Sequence, residues 1–156
     1  MTLETKTKLL PETLAVVHDL VKINADSRDT FLELADATAN ASVAIMFREL
    51  ADERNRNVAE LESLVKFNQQ TPDETASVAA TYHRILIGLR SALGAGTATM
   101  LNEAESAEDK IQNKYEEVLK HEPGLAVSDI LHRQYSAVRA AHQRVRAIRD
   151  AHRRAS

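Results

Sequence analysis

Apolar residues recur every three or four positions along most of this chain, which is the spacing of one face of an α-helix. The pattern divides into four long segments and one shorter segment. The long segments cover about residues 11–38, 40–67, 98–120 and 126–152, and the shorter one covers about residues 72–93. No stretch alternates apolar and polar residues with a period of two. The pattern therefore predicts an all-α chain without a sheet.

Residues that start or stop helices separate these segments. Pro11 suits a first helical turn, and Asn40 is a plausible N-cap for the second segment. The stretch TPDE at 71–74 is a strong helix start, with a capping Thr, a Pro and two acids. The stretches GAGT at 94–97 and HEPG at 121–124 end the helices before them. The shorter segment is thus predicted to be a helix of its own.

The lengths of the connections predict how the helices are arranged. The four long helices have similar lengths, which favours one bundle, and short links make the first pair and the last pair antiparallel. The middle connection contains the shorter helix, which at about 1.5 Å per residue spans roughly 30 Å. Such a crossover makes helices two and three parallel, as in a ferritin-like four-helix bundle. We expect a flexible N-terminus at residues 1–10 and a single ferritin-like domain at residues 11–152.

Composition narrows the class of protein. The 156 residues suit one domain, and 44% of them are hydrophobic. The absence of Cys excludes disulfides, thiolate metal sites and cysteine nucleophiles. The first residues lack the pattern of a secretory signal, and no apolar stretch approaches the roughly 18 residues of a membrane span. These features predict a cytoplasmic protein that does not bind a membrane.

Polar residues interrupt the apolar stripe near the midpoint of each long helix. Antiparallel helices of equal length bring their midpoints to one height, so these residues predict one buried polar layer. A buried carboxylate requires a cation, a metal or a proton, and Arg28 can supply the cation to Glu108 or Glu53. The predicted layer consists of Asn24, Arg28, Glu53, Asn57, Glu108 and Gln134.

A metal centre is the alternative interpretation of this layer. Ferritin-like di-metal sites use Glu from two helices and Glu-x-x-His from the other two. No Glu in this chain is followed by His three residues later, and Arg56 stands where helix two would carry that His. We therefore expect no cofactor, no catalytic residue and no enzymatic activity. If iron or manganese does bind, the expected ligands are Glu53, Glu108 and His142, with carboxylates from a neighbour.

The last helix is rich in arginine and gives a second alternative. From Arg133 to Arg154 it carries seven arginines against the single acid Asp150, a balance that could suit the phosphates of a nucleic acid. A solvated face or a dimer contact is the simpler interpretation. Ile130 and Ala141 are apolar residues outside the main stripe of this helix. They predict a homodimer or a small homo-oligomer.

Tyrosines and histidines are the remaining candidates for a site. Tyr82, Tyr115 and Tyr135 lie on or near apolar stripes, so we expect core residues whose hydroxyls reach the surface. Six His are present, and His142, beside the stripe of the last helix, is the best ligand candidate among them. No Gly-rich phosphate loop follows a strand, and no spacing of Ser and His suggests a triad.

Three stretches together carry a family resemblance: HRILIGLRSAL (83–93), LNEAESAEDKIQNKYEEVL (101–119) and RQYSAVRAAHQRVRAIRD (133–150). They resemble bacterial ferritin-like four-helix-bundle proteins that are grouped as a domain of unknown function. The resemblance covers about residues 10–150. It implies the ferritin-like bundle and brings no established activity.

Two positions depart from that family pattern. Arg28 stands where members commonly have an acid, and Ser106–Ala107 stand where they commonly have Arg-Gly. The cation at the first position weakens the case for a metal centre. The function expected from the sequence is that of a non-catalytic interaction or stress-associated protein.

Overall fold

The computed structural model describes residues 4–68, 96–121 and 125–155. Within these residues the chain forms four α-helices and no β-strand, which confirms the all-α prediction. The shorter helix predicted at residues 72–93, with Tyr82, lies outside the described residues. The helices are α1 (Pro11–Ala37), α2 (Ala41–Phe67), α3 (Thr97–Lys120) and α4 (Leu125–Ala155).

Local chemistry explains where three of these helices begin. Pro11 opens α1, where its missing N–H leaves no hydrogen bond unmade. The side chain of Asn40 accepts a hydrogen bond of 3.1 Å from the backbone N–H of Val43 and so caps α2. Gly96 precedes α3 with a φ of 95°, a left-handed conformation that glycine adopts without strain. The predicted starts of these helices therefore lie within one residue of the observed ones.

Contacts between side chains show that α1 and α2 are antiparallel, and that α3 and α4 are antiparallel. In each pair, residue numbers rise along one helix as they fall along its neighbour. The contacts are Asn24–Asn57 and Ser27–Arg54 in the first pair, and Gln112–His142 and Tyr115–Gln134 in the second.

The relation between the two pairs follows from contacts of α1 with α3. Asn24 contacts Tyr115, and Thr38 contacts Thr97, so these two helices are also antiparallel. Because α1 is antiparallel to both α2 and α3, the latter two run in the same direction. The last residues of α2 and the first residues of α3 therefore lie at opposite ends of the bundle. This is the direction that the predicted crossover requires.

The core consists of two apolar clusters stacked along the bundle. The rings of Phe31 and Phe47 pack in the second cluster with centroids 5.9 Å apart. The first cluster includes Leu14, Val17, Val58, Leu61, Ile111, Val118, Leu131 and Val138, and the second includes Phe31, Leu34, Phe47, Leu50, Met100, Leu101, Ala104 and Val145. Between the two clusters, the first three helices contribute buried polar side chains, namely Ser27, Arg54, Asn57 and Glu108, while Gln134 of α4 is buried within the length of the first cluster.

Two residues of α4 do not form the surface that the sequence suggested. Ile130 is 7% exposed and Ala141 is 4% exposed, so both pack inside the bundle of this chain. These two residues therefore do not support the predicted homo-oligomer, which stays a prediction. In the described part of the chain, no helix is long and apolar enough to cross a membrane.

Candidate functional site

The centre of the bundle contains an ion pair between Arg54 of α2 and Glu108 of α3. Neither side chain has any exposed surface. The Nη2 atom of Arg54 lies 2.5 Å from Oε1 and 2.6 Å from Oε2 of Glu108. One guanidinium nitrogen thus serves both carboxylate oxygens. The carboxylate in the apolar stripe of α3 is held by a buried cation.

The other two guanidinium nitrogens of Arg54 also have partners. Nη1 donates to Oε1 of Glu53 at 2.7 Å, and Nε donates to the hydroxyl of Ser27 at 3.1 Å. The Glu53 side chain is 24% exposed, so it lies at the edge of the layer, where water reaches it. The buried cation therefore joins α1, α2 and α3 at one height.

The environment of Glu108 shows that the ion pair is costly to bury. Burial raises the pKa of Glu108 above its ordinary value, and the neighbouring Arg54, by charge and by hydrogen bonds, only partly opposes that rise. Removing a carboxylate from water is costly even beside a cation, as is common for buried ion pairs. We therefore expect the pair to contribute more to the specificity of packing than to the free energy of folding.

A second set of buried polar residues forms a chain of hydrogen bonds through all four helices. The Asn57 amide donates to the Asn24 oxygen at 3.1 Å, and the Asn24 amide donates to the Tyr115 hydroxyl at 2.8 Å. Tyr115 in turn donates to the Gln134 oxygen at 2.8 Å, and the Gln134 amide donates to Glu60 at 2.7 Å. Each group is a donor to the next, so the dipoles align and strengthen one another.

Tyr115 is the central residue of this chain, and its hydroxyl does not reach the surface as predicted. The whole side chain is buried, because the hydroxyl finds its acceptor in Gln134 rather than in water. Burial raises the pKa of Tyr115 far above its ordinary value, so the hydroxyl keeps its proton. Tyr135 does fit the prediction, since its hydroxyl donates to exposed Glu116 at 2.7 Å.

The hydrogen-bond chain ends at Glu60, near the surface. Arg133 donates to one carboxylate oxygen at 2.6 Å, and Gln134 donates to the other at 2.7 Å. Burial acts to raise the pKa of Glu60, but the hydrogen bonds from Arg133 and Gln134 outweigh it and the pKa is lowered. Glu60 is therefore an ionised acceptor at neutral pH.

This lowered pKa predicts a pH dependence of stability. A carboxylate with a lowered folded-state pKa stabilises the fold above its ordinary value of 4.5, and that contribution is lost as the pH falls through the folded-state pKa. We expect the urea midpoint of the wild type to drop more between pH 5 and pH 3 than that of Glu60→Gln. Exposed Glu103→Gln is the matched control and should follow the wild type; equal drops in all three proteins would contradict the prediction.

The structure brings four of the six predicted polar residues into the buried layer and corrects two. Arg28 is 20% exposed and donates to Asp29 at 3.0 Å and Asn55 at 3.1 Å, while its neighbour Ser27 is buried. Glu53 lies at the edge for the same reason, because the next residue, Arg54, faces inward. The predicted pair of Arg28 with Glu108 is thus wrong. The four buried residues are Asn24, Asn57, Glu108 and Gln134.

Arg54 is the important residue that sequence reasoning missed, and the signal for it is present in the spacing. Leu50, Arg54, Asn57 and Leu61 are separated by four, three and four residues, which places them on one face of a helix. All four are buried. A row with Glu53 in place of Arg54 fits the spacing as well, so the pattern alone does not choose between them.

The three candidate metal ligands do not fit a di-metal centre. Both oxygens of Glu108 and one oxygen of Glu53 are bound by the Arg54 guanidinium, whose positive charge lies between the two acids. His142 contacts Asp109 and Gln112 between α3 and α4. Across the described ranges, no group of three or more His, Asp or Glu side chains could hold a metal ion.

Acids on neighbouring helices pair with much of the arginine-rich helix α4. Arg133 contacts Glu60 at 2.6 Å, and Arg144 contacts Glu49 at 2.7 Å, both on α2. Arg146 and Arg149 contact Glu105 of α3. Arg133, Arg144 and Arg146 remain largely exposed in these pairs.

Comparison with known proteins gives a family and no activity. The family model described as "Domain of unknown function (DUF2383)" matches residues 12–121, which is 110 of the 156 residues. The matched range includes α1, α2 and α3, and thus both members of the Arg54–Glu108 pair. No curated protein matches the chain.

Proposed function

Because the chain belongs to the DUF2383 family, whose description assigns no activity, we propose its function from the centre of the bundle. The protein is a non-catalytic ferritin-like bundle in which an internal ion pair occupies the place of a di-metal centre. It acts through its surface as an interaction or stress-associated protein. The bacterial source, the cytoplasmic location and a homodimeric or small homo-oligomeric state are part of this proposal.

The directions of the helices support the ferritin-like arrangement. α1 and α2 are antiparallel, α3 and α4 are antiparallel, and α2 runs parallel to α3, as in a bundle with one long crossover. The Arg54–Glu108 pair lies between two apolar clusters, in the bundle core where ferritin-like proteins bind metal.

The buried guanidinium of Arg54 is the single observation that carries the non-catalytic proposal. A guanidinium stays positively charged at every accessible pH, so it repels a divalent cation at any of these pH values. Displacing Arg54 from the centre would leave Glu108 buried without its cation and Ser27 without its donor. The stable state of this centre is therefore the ion pair.

Metal analysis tests the proposal. We expect protein purified with iron or manganese present to retain no stoichiometric metal, because Arg54 occupies both carboxylates. Elemental analysis should give the same trace content for the wild type, for Glu108→Gln and for the exposed control Glu103→Gln. Near-stoichiometric metal in the wild type that is lost in Glu108→Gln, but kept in Glu103→Gln, would overturn the proposal. Circular dichroism of each variant ensures that folded proteins are compared.

A further inference from the structure

The helix α4 concentrates the positive charge of this protein. It contains seven arginines, no lysine and the two acids Asp129 and Asp150, so seven positive charges against two negative ones give it a net charge of +5. The whole chain has a net charge of −3, so the residues outside α4 together carry −8. A polyanion is therefore attracted to α4 and repelled by the remainder of the molecule.

Most of these arginines lie at the surface, although several of them contact acids. Arg133 pairs with Glu60 and Arg144 pairs with Glu49, yet the two arginine side chains are still 63% and 48% exposed. Exposed ion pairs contribute about 1 kcal/mol or less, so a phosphate can replace the carboxylate at small cost. We call the six exposed arginines of α4 the arginine face. They are Arg133, Arg139, Arg144, Arg146, Arg153 and Arg154.

Three residues of the arginine face form a row along the helix. Arg139, Arg146 and Arg153 are each seven residues apart, which is about two helical turns and a rise of about 10.5 Å. Phosphates of one DNA strand follow each other at about 3.4 Å along the duplex axis, so one interval of the row corresponds to about three phosphates. The acid in this stretch, Asp150, already accepts from Arg149 through Nε at 3.1 Å and Nη2 at 2.9 Å.

We propose that the arginine face binds the phosphate backbone of double-stranded DNA. The proposal rests on the proposed action of the protein through its surface, and it names the partner. Arginine suits this partner because its planar guanidinium can donate two hydrogen bonds to one phosphate. The outward positions among the arginines include the exposed small residues Ala140, Ala147 and Ala151, which let a backbone approach the helix closely.

A duplex suits the arginine face better than a single strand does. Proteins that bind single strands stack the bases on aromatic side chains. Tyr135 is the only aromatic residue of α4. The guanidinium of Arg139 lies over its ring at 5.8 Å, and its hydroxyl donates to Glu116 at 2.7 Å. The helix thus offers charge along a straight line but no free ring on which a base can stack.

Fluorescence anisotropy of a labelled DNA duplex, titrated with the full chain, tests the proposal. We expect a dissociation constant of about 1–100 μM at about 0.15 M salt, the range of binding to the backbone alone. The association constant should fall with salt at a logarithmic slope of about −3 to −5, because each phosphate contact contributes about −0.9. No binding at about 0.05 M salt, or an affinity that salt does not change, would overturn the proposal.

A triple variant of the row tests whether the binding belongs to α4. Arg139→Gln, Arg146→Gln and Arg153→Gln together should lower the affinity about tenfold or more and make the salt slope shallower by about 3. Circular dichroism of the variant ensures that a folded protein is measured. An unchanged affinity and slope would contradict the assignment.

The matched control removes three exposed cations from α2 and α3 instead. It combines Arg48→Gln, Arg56→Gln and Lys110→Gln, so it has the same net charge as the triple variant of the row. We expect its affinity to change by less than about threefold, because only the overall charge of the protein differs. Equal losses in the two triple variants would show that net charge, rather than the arginine face, causes the binding.

Further titrations identify the partner. A DNA single strand and an RNA duplex of the same sequence should bind less tightly than the DNA duplex, and tighter binding of either would overturn the assignment to duplex DNA. Polyglutamate at the same concentration of charge should release little of the DNA, whereas complete release would assign the face to an acidic protein instead. The metal content of the bundle centre does not enter these measurements, so a failure of DNA binding leaves the outcome of the metal analysis unchanged.

Discussion

Removing either partner of the Arg54–Glu108 pair alone is expected to lower the free energy of unfolding by about 3–5 kcal/mol. The reason is the charge left behind, since Glu108→Leu leaves the buried Arg54 guanidinium with only the edge carboxylate of Glu53, and Arg54→Met buries Glu108 without its cation. Replacing both partners removes both charges together. The double variant should be about as stable as the wild type, or up to about 4 kcal/mol more stable.

Urea unfolding of the wild type, the two single variants and the double variant gives the coupling between the residues directly. Arg48→Met on the same helix is the matched control, because the pair of Arg48 with Asp36 is exposed and should contribute about 1 kcal/mol or less. A double variant that loses as much stability as either single variant would show that the buried pair stabilises the fold outright, and losses that simply add would show no coupling between the two residues.

Tyr115→Phe is expected to be the second most damaging of these changes, although it removes a single oxygen atom. The substitution leaves the Gln134 oxygen without its donor inside the bundle and takes away one of the two acceptors of the Asn24 amide. A buried polar group that loses its partner costs about 1–3 kcal/mol. The chain of hydrogen bonds is interrupted at its middle.

Tyr135→Phe is the control for that experiment. It removes the same atom from a hydroxyl that meets Glu116 at the surface, where water can replace the lost contact. We expect a change within about 0.5 kcal/mol in urea unfolding. Equal losses in the two variants would mean that the buried chain contributes nothing beyond an ordinary exposed hydrogen bond.

The four described helices could be predicted closely because each has a long periodic stripe and local start signals. The predicted segments 11–38 and 40–67 end within one residue of α1 and α2. The last helix continues three residues beyond its predicted end, to Ala155, because the arginines and small residues there favour helix without adding to the stripe. Capping and periodicity are local properties, and a sequence displays them directly.

Four of the six predicted polar residues are buried, but the identity of the cation among them could not be predicted. Glu53 and Arg54 are neighbours, and either one continues the stripe at a spacing of three or four. The choice depends on Glu108, which is 54 positions away in the chain and meets α2 only after the bundle forms. The same ambiguity exists between the neighbours Ser27 and Arg28, and there the wrong residue of α1 was predicted to face inward. Contacts with other helices decide which of two neighbouring residues faces the core.

The Arg54–Glu108 contact also decides how the helices line up along their axes. With aromatic residues at only 4%, the core is mostly small aliphatic side chains, and these tolerate a neighbouring helix that slides by one turn, about 5.4 Å. Such a slide would set Glu108 against Leu50 or Val58 and leave both charges in hydrocarbon. We therefore expect a misalignment by one turn to cost several kcal/mol, which favours the observed alignment.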